Sequence, residues 1–371
     1  MKITRVESIL YDAGFHEVWC FVRVETDEGI VGIGEASTTE PYMVAAVVRR
    51  MAAWVEGRDP TRIQEFWQEA YRWHFNVRGG NLLLCAISGI EHALWDIKGK
   101  VAGMPVYDLL GGALRDRVPV YANHVYFRGI SSLTNPRALG ERAAAAVEAG
   151  YRFLKTDPFE HLRGTLTPAE VRTVTASVRA MRAAIGPDIQ LGIDTHAKLF
   201  LASVIQVARA FEEFDLLFLE EPVPPENVEA LRKVREQVRV PLASGERVYT
   251  KWGYRELLAA QAVEIIQPDL AHCGGILEAR FIVAMAEAHY VQLAPHSYYG
   301  PVSQVASLHL DATIPNLLVQ ERPALFGDLP QRRELLVATP RFEDGCLLVP
   351  SGPGLGIAFN EEMLARHRVH G

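Results

Sequence analysis

Cysteine is scarce. The chain has four in 371 residues (Cys20, Cys85, Cys273 and Cys346), spaced too widely for a CxxC pair or a zinc site. No disulfide framework is expected, and reduced thiols fit the interior of a cell. No apolar run approaches the roughly 20 residues of a membrane span, and the start, MKITRVESIL, turns polar too early for a signal peptide. The expected location is therefore cytoplasmic. Positive charge is also short, with 38 Lys and Arg against 45 Asp and Glu, a formal net charge of −7. That excludes the basic face a nucleic-acid partner needs, but not a small anionic substrate, which senses only the local field.

What is abundant is apolar and repetitive. Hydrophobic residues make up 49% and charged residues 22%, enough for a large core. Eight short aliphatic runs follow position 116: VPVYANH (118–124), RFLKTD (152–157), IQLGIDTH (189–196), LLFLEE (216–221), VPLASGE (240–246), EIIQPD (264–269), VQLAPH (291–296) and LLVQE (317–321). Their composition is that of strands buried on both faces. Amphipathic helical stretches separate most of them, as in ALGERAAAAVEAG with Gly150 just past its end, or TPAEVRTVTASVRAMRAAIG with Thr167 as N-cap and Pro168 at the first helical position. No clean helix follows the eighth run. This alternation predicts an α/β fold, a modified (β/α)7β TIM-like barrel with its active site at the carboxyl ends of the strands.

The remainder reads differently. Residues 1–36 alternate as a small antiparallel sheet, and residues 41–103 turn helical. Three segments are expected: an α+β capping domain over 1–115, the barrel over 116–325, and a C-terminal segment, 326–371, that returns to pack on the cap. Two cap loops, one with His16 and Trp19 and one spanning Trp73 to Gly80 and including Arg78, could close over a substrate. Their aromatic residues serve equally well as ordinary cap–barrel packing.

The runs end in chemistry: Asp194, His196, Glu220, Glu221, Glu246, Asp269, His296 and Glu321. Asp194, Glu220 and Glu246 are separated by 26 and again 26 residues, one strand–helix unit each. Converging carboxylates with no basic partner in register repel one another and call for a cation. All-oxygen ligation selects Mg²⁺ first and Mn²⁺ second. Surface ion pairing would explain one such carboxylate, not three at equal spacing. A glycosidase would need a carboxylate across the barrel from Glu220, where His296 stands instead. Asp269 beside His296 makes a general base. His196, two residues after Asp194, shares its face if the strand continues, and then forms a second acid or base; otherwise it caps the following helix. Lys155 and Asp157 share a face by the same rule. Lys155 could hold a carboxylate or act as a base and Asp157 could bind hydroxyls, or the two could form a structural salt bridge. Glu321 could reach a substrate oxygen, and His124 and Tyr126 lie at the first strand tip.

With these residues in place the chain resembles the enolase superfamily, mandelate racemase branch. The motifs LFLEEP, PLASGE, IIQPDLAHCGG and LAPH carry the resemblance over nearly the whole length. It implies Mg²⁺ on Asp194, Glu220 and Glu246, a substrate carboxylate held by the metal, and proton abstraction beside it to give an enediolate. Lys155-Thr156-Asp157 departs from the Lys-x-Lys of racemases, and Asp194-Thr195-His196 from the commoner Asp-x-Asn. Asp-x-His with His296 and Asp269 resembles the acid-sugar dehydratases, the galactonate dehydratase type in particular. The resemblance implies that His296 takes the C2 proton and His196 protonates the departing 3-hydroxyl, yielding a 2-keto-3-deoxy acid. It also implies a small-molecule sugar-acid substrate and a homo-oligomer. An epimerase or cycloisomerase of the same superfamily is the alternative, with Lys155 as its second base.

Overall fold

The computed structural model describes residues 1–73, 76–123, 135–323 and 329–369. The cap opens with β1 (Ile3–Gly14), β2 (Glu17–Thr26) and β3 (Val31–Glu35), an antiparallel meander. Helices α1 (Pro41–Val55), α2 (Ile63–Trp73) and α3 (Asn81–Ala102) follow, with a short α4 (Val106–Leu109). The long α3 is buried nearly all round because it lies between the cap sheet and the barrel.

Eight parallel strands come next: β4 (Arg117–Asn123), β5 (Phe153–Thr156), β6 (Gln190–Asp194), β7 (Phe218–Glu220), β8 (Leu242–Ser244), β9 (Ile265–Ile266), β10 (Gln292–Leu293) and β11 (Gln320–Pro323). Between them run α5 (Pro136–Glu148), α6 (Pro168–Ile185), α7 (Leu201–Phe211), α8 (Val228–Arg235), α9 (Thr250–Ala259), α10 (Gly275–Ala288) and α11 (Pro301–Asp311). Thr167 caps α6 in a full capping box with Glu170, and Gly150 follows α5 at φ 99°. The Leu318 N–H donates to the Leu293 carbonyl and Glu321 N–H to the Pro295 carbonyl, while β11 pairs with β4. Those bonds carry the sheet round to its first strand.

The tail divides its contacts. It forms α12 (Pro330–Arg333), β12 (Phe342–Glu343), β13 (Cys346–Leu348), α13 (Glu361–Arg366) and β14 (Arg368–Val369). β14 pairs with β1 of the cap, whereas β13 pairs antiparallel with β4 of the barrel. Among the described residues no helix is long and apolar enough to cross a membrane.

Strand periodicity explains how the barrel interior changes from apolar to polar. Tyr121, Phe218, Ala243, Ile265, Ala294 and Val319 form an apolar cluster of their own, with Phe153 packed against it. Two residues further along four of these strands stand Asn123, Lys155, Glu220 and Glu321, on the same inward face one layer nearer the mouth. β6 has Gly192 at the lower level because a Cβ there would lie 2.5 Å from the Phe218 ring, and Asp194 follows above it. At the end of β8 the inward position is Gly245, at φ 146°, and this turn brings Glu246 to the mouth in its place.

Carboxylates of buried glutamates fix the cap on the barrel. Glu35 at the end of β3 accepts the N–H groups of Gly300, Val302 and Ser303 at the start of α11. Glu91 on α3 accepts those of Ile276 and Leu277 at the start of α10. Both satisfy donors that a helix N-terminus leaves unpaired, where negative charge is favoured.

His309 joins three segments. Its Nδ1 accepts the Tyr107 N–H at 3.3 Å, and its Nε2 donates to the Leu355 carbonyl at 3.1 Å, which only the neutral ring can do. Burial lowers its pKa from 6.5 to about 4. The unfolded chain therefore binds this proton first, and the stability contribution, at most about 3 kcal/mol, is lost as pH falls from 6.5 toward 4. His309→Gln keeps one acceptor and one donor without titrating. It is expected to flatten the acid limb of a plot of urea midpoint against pH; parallel curves for both proteins would refute this.

Candidate active site

The strands end earlier than their apolar runs suggest. Asp194 and Glu220 are the last residues of β6 and β7, whereas Glu246, Asp269 and His296 lie two or three residues beyond their strands. His196 also lies past its strand, so strand periodicity is not what orients it. It and Ala197 are left-handed, at φ 47° and 50°, and the His196 N–H donates to Asp194 Oδ1 at 2.7 Å. This tight turn returns the imidazole toward Asp194.

Asp194, Glu220 and Glu246 each present an oxygen within 4.8 Å of the others. Burial pushes the Asp194 and Glu220 carboxyls above the usual range, Glu220 well above it, and each is raised further by neighbouring carboxylates. For Glu246, burial pulls upward as well, but His296, Lys155 and His196 overcome it and the carboxyl is lowered. Desolvated like charges at this separation favour a bound cation, and three carboxylate oxygens suit a hard divalent one.

A basic partner is nonetheless present, contrary to the sequence expectation. Lys155 Nζ lies 2.8 Å from Glu220 Oε1, 3.3 Å from Glu321 Oε1 and 3.6 Å from Asp194 Oδ2. Burial disfavours its charge, but these carboxylates raise its pKa well above the ordinary lysine value. Four carboxylates against one ammonium still leave a formal −3, so room for a divalent cation remains. The Lys155–Asp157 salt bridge is not how either residue is used: Asp157 turns away to His196 and Lys198.

Two imidazoles flank the carboxylates. His296 Nδ1 is 2.6 Å from Asp269 Oδ2, and its Nε2 is 3.4 Å from Glu246 and 3.8 Å from Glu321. Burial opposes its protonation, yet Glu246, Glu321 and Asp269 raise its pKa well above that of free imidazole. Asp269 is lowered against burial by His272 and His296. His196 Nδ1 is 2.7 Å from Asp157 Oδ2 and its Nε2 is 3.2 Å from Asp194 Oδ2. Burial lowers its pKa, but Asp194 and Asp157 bring it up to about 9. The side chain of His196 keeps 42% of its exposure, while that of His296 keeps 11%. Glu321 is held by Asn123 Nδ2 and the Ser297 N–H, and Gln267 Nε2 donates to Glu220 Oε2 at 2.6 Å.

The expected substrate-contacting residues are distributed more widely. Trp19 lies in β2, not in a loop; it is buried against Tyr11 and Phe21, with the Arg332 guanidinium 4.9 Å from its ring. His16 is exposed at the hairpin tip between β1 and β2, at φ 65°. Arg78 is exposed and lies 5.7 Å from the Tyr71 ring. Trp73 is the last residue of α2. His124 and Tyr126 lie outside the described residues. Sequence reasoning missed Asn123, Lys198, Gln267 and His272. Asn123 and Gln267 were accessible to it, since each stands two residues beyond an inward apolar position.

Two family descriptions match the chain: mandelate racemase / muconate lactonizing enzyme, N-terminal domain, over residues 15–111, and enolase C-terminal domain-like over residues 138–363. D-galactonate dehydratase of Xanthomonas axonopodis pv. citri is 38% identical, covering 99% of this chain and 94% of the relative. The D-galactonate dehydratase of Ralstonia nicotianae is 37% identical over 98% and 94%. Among solved structures, a member of the enolase superfamily from Salmonella Typhimurium superposes with a TM-score of 0.94 at 32% identity, covering 98% of both chains. A mandelate racemase/muconate lactonizing enzyme from a Sulfitobacter species gives 0.93 at 34%, covering 100% of this chain and 96% of the other.

The carboxylate geometry predicts one divalent ion per chain. In calorimetric titration with Mn²⁺ as probe, Asp194→Asn and Glu220→Gln are expected to weaken binding by ~100-fold or more, and Glu321→Gln by ~10-fold at most. Equal affinity in all four proteins would place the ion elsewhere.

Proposed function

The chain belongs to the mandelate racemase / muconate lactonizing enzyme family of the enolase superfamily, and from that premise we propose that it is a sugar-acid dehydratase, a hydro-lyase dependent on Mg²⁺. The observation that carries this reading is a pair of imidazoles, each held by a carboxylate, on opposite flanks of a three-carboxylate site. Elimination of water needs both a base and an acid, and relatives 37–38% identical over nearly the full length are D-galactonate dehydratases.

The distances support a division of the work. Asp269 accepts the Nδ1 proton of His296, so Nε2 is the nitrogen free to take the C2 proton. Asp194, Glu220 and Glu246 would hold the metal, and Mg²⁺ bound there, or Mn²⁺ in its place, would stabilise the charge that develops on the substrate carboxylate. The C2–H electron pair gives the enediolate, and re-forming the C1 carbonyl group drives the C3–O bond to break. His196 Nε2 protonates the departing oxygen, water leaves, and the enol tautomerises to the 2-keto-3-deoxy acid. Glu321, pinned by Asn123 and Ser297, lines the mouth beside His296. Lys155 is enclosed by three carboxylates and is 2% exposed, which disfavours the second base that an epimerase or cycloisomerase would require.

The test is a screen with Mg²⁺ against hexonates, beginning with D-galactonate, then pentonates and aldarates. Products are detected with a carbonyl reagent and hits repeated with EDTA, which is expected to abolish turnover. His296→Asn is expected to lose both C2 deuterium exchange and product formation, by ~10²–10⁴-fold. His196→Asn is expected to retain exchange while losing product. Exchange without product in the unmodified protein would support the epimerase or cycloisomerase, and neither signal with any acid would remove the dehydratase reading.

A further inference from the structure

Asp157 was expected to meet substrate hydroxyls, and its surroundings argue otherwise. It stands just beyond β5 and is 3% exposed. Its Oδ1 accepts the Phe159 N–H at 2.8 Å. Its Oδ2 faces His196 Nδ1 at 2.7 Å and also accepts Lys198 Nζ. Both oxygens are therefore engaged by the protein. The backbone around its partner is equally constrained. His196 and Ala197 are left-handed, Thr195 Oγ1 donates to the Glu221 carbonyl at 2.5 Å, and the Ala197 N–H donates to the same carbonyl at 2.9 Å. A non-glycine pair in that region is held only where its surroundings over-determine it.

We propose that Asp157 is the positioning residue of His196, the counterpart of Asp269 at His296, and that Lys198 keeps it in place. By accepting the Nδ1 proton of the imidazolium it leaves the Nε2 proton as the one to be delivered, and it turns Nε2 toward the metal-site side of the mouth. An imidazole presented with the wrong nitrogen or a free χ2 rotation could not deliver its proton to the 3-hydroxyl oxygen as the C3–O bond breaks. This inference rests on the dehydratase reading for its catalytic meaning, but the orientation of His196 can be measured without any substrate.

The experiment uses Asp157→Asn, which keeps an oxygen for the Phe159 N–H but replaces the acceptor at His196 with a neutral amide. With the substrate found in the screen, C2 deuterium exchange and dehydration are followed in the same sample. Dehydration is expected to fall by ~10²-fold or more, by analogy with loss of the carboxylate that orients a catalytic histidine. Exchange, which depends on His296, is expected to stay within about tenfold of the parent, so the ratio of exchange to product rises. A rise in KM with kcat unchanged would make Asp157 a hydroxyl ligand and overturn the proposal. An unchanged ratio in a folded variant, with both rates lowered together or both intact, would also overturn it.

A second readout separates this failure from that of the dehydratase reading. In ¹⁵N-histidine-labelled protein, the His196 Nδ1 proton is expected as a strongly hydrogen-bonded, downfield signal that disappears in Asp157→Asn. If no sugar acid is exchanged or dehydrated the dehydratase reading falls, and this signal alone decides the positioning role. Its persistence in the variant would overturn that role. Should Asp157→Asn fail to fold, Lys198→Met removes only the clamp on Asp157. It is expected to raise the same ratio and broaden the same signal, and no change in either would count against the proposal.

Discussion

Asp194, Glu220, Glu246 and Glu321 crowd four carboxylates into a space nearly closed to water, and their neighbours are arranged to offset the resulting repulsion. Lys155 stands among them and meets three. Gln267 and Asn123 donate neutral hydrogen bonds to two. His196 and His296 approach from the flanks, with ring nitrogens 3.2 and 3.4 Å from Asp194 and Glu246. The ammonium compensates one of the four charges, and a divalent cation on Asp194, Glu220 and Glu246 would compensate two more. Burial raises the cost of leaving any of these charges unpaired.

The same electrostatics extends outward. The carboxylates of Glu35 and Glu91 settle on the first turns of α11 and α10, the helices that follow the strands leading to His296 and Asp269. The cap is thus attached through the helix ends that follow Asp269 and His296. His272 adds a further tie: its ring bonds the Ser37 carbonyl of the cap at 3.0 Å and lies 3.6 Å from Asp269.

Some errors in reading the sequence have clear physical origins. Trp19 was grouped with the loop between the first two strands, but β2 begins at Glu17 and buries the indole. His196 was placed on Asp194's face by strand alternation, but the strand stops at Asp194 and a left-handed turn brings the ring back by another route. The tail was expected to return to the cap; β14 pairs with β1 and Arg332 of α12 donates to the Ala13 carbonyl, while β13 pairs in addition with β4 of the barrel.

What the sequence determined by itself is the barrel and the identity of its inward side chains. Strand period two is local, so Tyr121 and Asn123, or Phe218 and Glu220, must share a face whatever else happens, and each successive strand–helix unit adds to that layer around the ring. Pairing is not local. Lys155 finds Glu220 across 65 residues, Asp157 finds His196 across 39 and Glu35 finds Gly300 across 265. Each of these carboxylates had several basic or N–H partners within plausible reach, and only strand order, the left-handed turn after β6 and the seating of the cap decided among them. The composition of the site is therefore written along the chain, but its charge balance and the direction each imidazole faces are properties of the assembled barrel.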